Sequence, residues 1–194
     1  MTAIDFTEQT RLVGHLADRV TDDQLDAPTP CPGLAVRTLL GHIVGLAAAF
    51  RDAARKDLGP AADSAPDVEA SDIGPGWRAD LAKNLAELAE SWRDPAAWEG
   101  FTKAGGVDLP APVAAQVAMN ELVLHGWDLA RATGQSYRPD AASLKVSYDM
   151  VAATPDGPER EGLFGPTVPV PDSAPLLDRV LGLSGRDPDW APLP

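Results

Sequence analysis

A glutamate and a histidine lie one helical turn apart on an otherwise apolar face of the fourth predicted helix. When residues from about Val113 to Thr133 are drawn as a helix at roughly 100° per residue, Glu121 falls at the centre of the apolar stripe. The stripe is formed by Ala114, Val117, Ala118, Leu124, Leu129 and Ala132. His125 follows Glu121 on the same face, so the two side chains are expected to project together into the core. An ionised carboxylate there costs several kcal/mol unless a positive group compensates its charge.

Three kinds of compensation are open to Glu121. It could take up a proton, pair with a buried arginine or with protonated His125, or bind a metal ion together with His125. A metal needs at least one further ligand, and His42, on the apolar half of the second predicted helix, is the candidate. Two imidazoles and one carboxylate suit Zn²⁺, Fe, Ni or Mn and leave a coordination position open, as catalytic sites do. From the residues alone, a buried His–Glu hydrogen bond is favoured over a metal, because the E-x-x-x-H spacing recurs by chance in many helices.

Two further residues have competing interpretations. Asp128 lies on the face of Glu121 and three residues after His125, so it could accept a hydrogen bond from the second ring nitrogen of that histidine. An ion pair with Arg131 is the equally weighted alternative. Cys31, in the loop before the second helix, is interpreted as a small buried group, with a place in the wall of the site as the alternative.

The elements that must position these residues are helical. Apolar residues recur at steps of three or four over about 6–20, 36–56, 77–92 and 113–133, and a shorter helix is predicted over 140–152. A Pro-rich stretch to Ala174 precedes one more short apolar segment at 176–183. Alternation typical of strands is nowhere sustained. The sequence therefore predicts an all-α, single-domain protein (1–194), with a four-helix bundle over about 4–153 and a Pro-rich extension over 154–194.

Composition excludes several classes of protein. The 194 residues contain 16 Lys and Arg against 29 Asp and Glu, a formal net charge of −13, which argues against a nucleic-acid or anionic-membrane partner. The single cysteine permits no internal disulfide, and we find neither a signal peptide nor a membrane span. We expect a cytoplasmic protein that is a monomer or a homodimer.

Three segments carry a family resemblance: TPCPGLAVRTLLGHIVG (29–45), NELVLHGWDLARATGQ (120–135) and FGPTVPVPDSAPLLDRVLGLSGRDPDW (164–190). They resemble actinobacterial metal-binding proteins related to the N-terminal domain of mycothiol-dependent maleylpyruvate isomerase, within the wider DinB/YfiT-like group. The resemblance implies a DinB-like bundle. It also implies that His42, Glu121 and His125 bind zinc or another divalent ion.

Two departures limit what the resemblance implies about activity. Leu34 stands where relatives usually have tryptophan, which is expected to alter the wall near the site. Maleylpyruvate isomerase also has a second domain that contributes to its active site, for which 194 residues leave no room. Maleylpyruvate isomerase activity itself is therefore not expected.

The leading hypothesis is a mycothiol-dependent transferase. The open metal position would lower the pKa of a small-molecule thiol for attack on an electrophilic substrate, with Glu121 balancing charge and Asp128 orienting His125. The alternatives are a metal-water hydrolase, a non-catalytic metal- or ligand-binding stress protein, and a metal-free bundle. Residues 59–76 could form a lid over the site, but a loop is the preferred interpretation.

Overall fold

The computed structural model describes residues 3–59, 73–154, 156–157, 160 and 163–192. Its helices are α1 (Thr7–Asp18), α2 (Val36–Arg55), α3 (Trp77–Ser91), α4 (Ala111–Ala132), α5 (Ala141–Ala152) and α6 (Leu176–Leu183). A short hairpin consists of β1 (Phe101–Ala104) and β2 (Val107–Pro110). The all-α prediction is confirmed, with helix bounds within a few residues of those expected. The segment 59–76, interpreted as a loop with a lid as the alternative, falls mainly on residues 60–72, which lie outside the described residues.

The first four helices pack into a bundle. α2 lies against α3 and α4, and α1 contacts the same two helices from the other side. The apolar stripes read from the sequence meet inside this bundle, where removal of their surface from water stabilises the fold. Its most buried large side chains include Phe6, Val13, Leu16, Leu39, Ile43, Leu81, Leu88, Met119 and Leu129.

Helix α4 is buried on more than one side because it separates two apolar clusters. One side faces the bundle core, whereas Leu124 and Trp127 face a smaller cluster with Val151 of α5 and with Val180 and Leu181 of α6. The extension is thus attached to the bundle through α4 and α5.

The hairpin was not predicted. Gly105 and Gly106 have φ angles of 60° and 79°, which suit a two-residue turn that few other residues adopt. Thr102 is buried and its hydroxyl donates to the Ala53 carbonyl at 2.7 Å, which fixes β1 to the end of α2. Each strand has four residues, and Phe101 is 71% exposed, so no alternating apolar face marks the pair.

Charged side chains hold the Pro-rich extension. The buried Arg160 donates to the carbonyls of Gly165 (2.7 Å) and Thr154 (2.9 Å) and also to that of Leu183. Nearby, the backbones of Gly165 and Gly185 approach so closely that a Cβ on Gly185 would lie 2.7 Å from the carbonyl carbon of Gly165. Within the described residues, no helix is long and apolar enough to cross a membrane.

Candidate metal centre

Three potential metal ligands from two helices converge at one point. His42 comes from the middle of α2, and Glu121 and His125 come from successive turns of α4. The Oε2 atom of Glu121 lies 3.1 Å from Nε2 of His125 and 3.6 Å from Nε2 of His42. The two imidazole rings meet edge to face, with their centroids 4.8 Å apart.

The surroundings of Glu121 differ from the sequence expectation. Its side chain was predicted to lie in the core, but it is 28% exposed, while those of His42 and His125 are 10% and 11% exposed. Helical angles identify the inward face of α4 correctly. They do not show that the loop before α2 and the extension leave a cavity over this part of the face.

The donor set fits a divalent cation. Donor atoms around a tetrahedral ion with bonds of about 2.0–2.1 Å are roughly 3.3–3.4 Å apart, and the separations of 3.1 and 3.6 Å bracket that value. One donor atom from each of the three residues lies within 4.8 Å of the others. The Nδ1 atom of His42 is buried and has no hydrogen-bond partner among the described residues. A hydrogen bond at Nδ1 therefore does not account for the burial of this polar ring.

Without a cation, the charges of Glu121 and His125 stabilise one another. Burial alone would raise the pKa of Glu121, but the neighbouring His125 and His42 rings hold it well below its usual range. Burial likewise disfavours charge on His125, yet hydrogen bonds to Asp128 and Glu121 raise its pKa to about 9. A metal ligated by His125 must therefore displace a proton.

Asp128 connects the candidate ligands to the extension. Its fully buried carboxylate accepts from Nδ1 of His125 at 3.0 Å and from Nε and Nη2 of Arg186 at 2.8 and 2.7 Å. Burial would raise the pKa of Asp128, but Arg186 and His125 lower it. Among the described residues, Arg131 makes no bond to Asp128 and instead donates to the Trp190 carbonyl at 3.0 Å. The alternative Asp128–Arg131 ion pair is therefore not formed.

Arg186 is the residue at this site that the sequence analysis missed. It lies 58 residues after Asp128, in a segment without helical periodicity, so no spacing links the two. One indication of such a residue was available from the sequence, because a carboxylate buried at Asp128 needs a positive partner. That need did not distinguish Arg186 from the other arginines of the chain.

A cavity of about 720 Å³ opens above the three ligands. Besides His42, Glu121, His125 and Arg186, its lining includes Pro30, Cys31, Pro32, Leu34, Leu124, Leu163, Phe164, Gly165, Pro166, Ser184 and Gly185. Cys31 and Leu34, the two wall candidates, both line it. Burial, with the nearby Asp128 charge, raises the pKa of Cys31 to about 11, so this residue is a neutral thiol at neutral pH.

Comparison with known sequences identifies relatives along most of the chain. Residues 6–130 match the family described as the mycothiol maleylpyruvate isomerase N-terminal domain. Two uncharacterized proteins of Mycobacterium tuberculosis, MT0763 and Rv0738, are each 30% identical over 179 residues, which cover 88% of this chain and 90% of theirs.

Comparison with solved structures identifies the fold. Crystal structures of the mycothiol-dependent maleylpyruvate isomerase and of a histidine-to-alanine mutant superpose with TM-scores of 0.52 and 0.55. Each is 16% identical, and the match covers 78% of this chain and 72% of the enzyme. This chain shares their DinB-like fold, and by its sequence it belongs to the mycothiol maleylpyruvate isomerase N-terminal domain family.

Proposed function

We propose that this protein is a metal-dependent enzyme that activates a small-molecule thiol, mycothiol, for transfer to an electrophile. His42, Glu121 and His125 would bind the divalent cation, zinc in the first instance. The observation that carries the proposal is the convergence of these donors at the floor of an open cavity of about 720 Å³. Ligand pockets of about 300–1,000 Å³ are typical for small molecules.

The donor set supports an open coordination position. Three protein ligands leave room for an exogenous group, as catalytic sites do and closed structural sites do not. The chemistry that a bound divalent cation supplies at such a position is Lewis acidity, which lowers the pKa of a thiol placed there.

The chain's own residues prepare the site for this role. Asp128 accepts a hydrogen bond from Nδ1 of His125, which leaves Nε2 of that ring directed toward Glu121. Arg186 neutralises Asp128 through two hydrogen bonds, which allows this carboxylate to stay charged although it is fully buried. The buried side chains of Leu34 and Leu124 add apolar surface to the lining of the cavity.

Family membership supports mycothiol as the thiol. The family whose model matches residues 6–130 is described by a mycothiol enzyme, and two solved structures that share this fold are those of a mycothiol-dependent enzyme. Mycothiol is therefore the first thiol to test.

The test begins with elemental analysis of untagged protein purified without chelator. We expect about one equivalent of a divalent metal, and loss of that metal in His42→Ala and Glu121→Ala. The control is His15→Ala, which changes an exposed histidine of α1. Protein without metal would refute the proposal.

The second part of the test measures turnover. The metal-loaded protein should accelerate conjugation of mycothiol to 1-chloro-2,4-dinitrobenzene, and the two ligand variants should not. Ester hydrolysis without any thiol would instead identify a metal-water hydrolase. Stoichiometric metal without either activity would identify a non-catalytic binding protein.

A further inference from the structure

We infer that the electrophile accepted by this cavity is an uncharged, largely apolar molecule, and that the cavity discriminates against carboxylates. The inference rests on the proposed function only in treating the bound molecule as an electrophile. The selectivity of the cavity can be measured without turnover.

The cavity has a polar floor and apolar walls. The floor carries His42, Glu121, His125 and Arg186. The walls come from the loop before α2, from α4 and from the extension, and their apolar members are Pro30, Pro32, Leu34, Leu124, Leu163, Phe164 and Pro166. A second substrate resting beside a thiol at the floor would therefore contact mainly proline, leucine and phenylalanine.

The cavity has no spare positive charge. Among the residues that the structure describes, Arg186 is the only lysine or arginine in the lining. Its Nε and Nη2 atoms are bonded to both oxygens of Asp128, and Nη1 lies 3.3 Å from the hydroxyl of Ser184. Because Asp128 already matches its charge, Arg186 is not available to a carboxylate substrate.

The sequence of the segments that the structure does not describe offers no further basic side chain. The segments outside the described residues contain no Lys, Arg or His, and their titratable side chains are Asp63, Asp67, Glu69, Asp72, Glu159 and Glu161. Two of these acids, Glu159 and Glu161, are close in sequence to Leu163 at the cavity. Any charged side chain that these segments contribute would be negative.

Charge balance at the floor leads to the same conclusion. A divalent cation with Glu121 carries one net positive charge, and a thiolate would cancel it, while Asp128 and Arg186 cancel each other. A carboxylate on the second substrate would then be desolvated in an apolar cavity without a partner, which is unfavourable.

Binding of two matched ligands tests the inference. Methyl 3,5-dinitrobenzoate and 3,5-dinitrobenzoate share a ring and differ by one ionised carboxylate, and neither has a leaving group. Calorimetric titration of the zinc-loaded chain with mycothiol already bound, so that a thiolate fills the open position, and of the chain with chelator, should give an ester dissociation constant at least about tenfold lower than that of the acid. Equal or tighter binding of the carboxylate, or no binding of the ester, would overturn the inference.

A charge-insertion variant sharpens the test. Leu163 lines the cavity and is 65% exposed, so Leu163→Arg adds a cation at the rim without emptying the core. We expect it to tighten binding of the carboxylate by about tenfold. The matched control is Leu58→Arg, at an exposed leucine outside the lining, which should leave both constants unchanged. An equal effect of the two variants would contradict the inference.

The reactive counterparts connect binding to chemistry. With the 4-chloro derivatives of the same ester and acid, the thiol sulfur bonds to the ring carbon, chloride leaves with the bonding pair and the thiol proton passes to solvent. The acceleration over the uncatalysed rate should be at least about tenfold greater for the ester. Selective binding without acceleration would leave the inferred selectivity in place and refute thiol transfer, whereas acceleration favouring the acid would refute the selectivity alone.

Discussion

Different interactions stabilise the bundle and the C-terminal extension, and the cavity lies where these two regions meet. Helices α1–α4 pack through apolar stripes, with Leu39 and Leu88 fully buried. The extension has a smaller apolar cluster, and two arginines hold its loops: the buried Arg160 binds backbone carbonyls, and Arg186 binds Asp128. The bundle thus supplies the candidate metal ligands, and the extension supplies much of the wall and the cation that neutralises Asp128.

This difference shows how a rigid site can be combined with a variable wall. Glu121, His125 and Asp128 lie on one continuous helix, so the pitch of α4 sets their spacing. The loops of the extension can change sequence without altering that spacing, provided that a cation still reaches Asp128.

The largest expected effect comes from breaking the contact between the two regions. Arg186→Met leaves the fully buried Asp128 carboxylate with only His125 as a partner. We expect the free energy of unfolding, measured by urea denaturation, to fall by about 3–5 kcal/mol. The control Arg11→Met removes an exposed ion pair with Glu8 and should cost less than about 1 kcal/mol. Similar losses in the two variants would contradict the structural role of Arg186.

Core truncation compares the two apolar clusters directly. Leu88 of the bundle and Leu181 of the extension are both fully buried, so each change to alanine should cost about 2–4 kcal/mol. Hydrogen exchange should distinguish them, because Leu181→Ala is expected to accelerate exchange in α5 and α6 while α1–α3 stay protected. Uniform acceleration in that variant would show that the extension and the bundle open as one unit.

The close approach of two backbones in the cavity wall gives a smaller effect. Gly185 has a φ of 85°, and a Cβ there would overlap the backbone of Gly165. Gly33 has a similar φ of 80° but open space around it. Gly185→Ala should therefore be less stable than Gly33→Ala by about 1–3 kcal/mol in thermal unfolding, and equal stabilities would contradict the contact.

The smallest effect concerns the cap of α5 and its pH dependence. Asp140 accepts from the amides of Ala142 and Ser143 and from the Ser143 hydroxyl. Although partial burial opposes it, these bonds lower the pKa of Asp140. Its charge-dependent contribution is therefore complete above the unfolded pKa of about 3.9 and is lost as pH falls through the lower folded value.

A variant with a neutral cap measures that contribution. The asparagine introduced by Asp140→Asn keeps the cap but does not titrate. The stability of this variant relative to the parent should therefore rise as pH falls from about 5 to 2, by at most about 1 kcal/mol. Urea titrations across this range give the difference. A difference independent of pH would contradict the role assigned to the Asp140 charge.

The sequence was sufficient for the bundle because each of its helices carries an apolar stripe of helical period. It was sufficient to select Glu121, His125 and His42 because a charged or polar side chain on such a stripe needs a partner. The structure brings these three residues together, and their binding of a metal remains a prediction.

Other features depended on contacts that periodicity does not encode. The hairpin carries a Gly105-Gly106 turn, but its strands are too short and too exposed to show an alternation of apolar and polar residues in the sequence. Arg186 belongs to the Pro-rich extension, and its contact with Asp128 depends on how the extension folds back onto the bundle. The choice of Asp128 between His125 and Arg131 likewise depended on Trp190, whose carbonyl binds Arg131.

The order of the chain gives the Asp128–Arg186 contact a consequence during synthesis. At about 5–20 residues per second, a ribosome takes roughly 3–12 s to extend the chain from Asp128 to Arg186. Throughout that interval, all three candidate ligands and Asp128 have been made, but Arg186 and the part of the cavity wall that the extension supplies are still incomplete. A bundle that folds before the extension is made would therefore expose these donors to the surrounding solution, and binding of the proposed metal at that stage would not depend on the route by which substrates later enter the cavity.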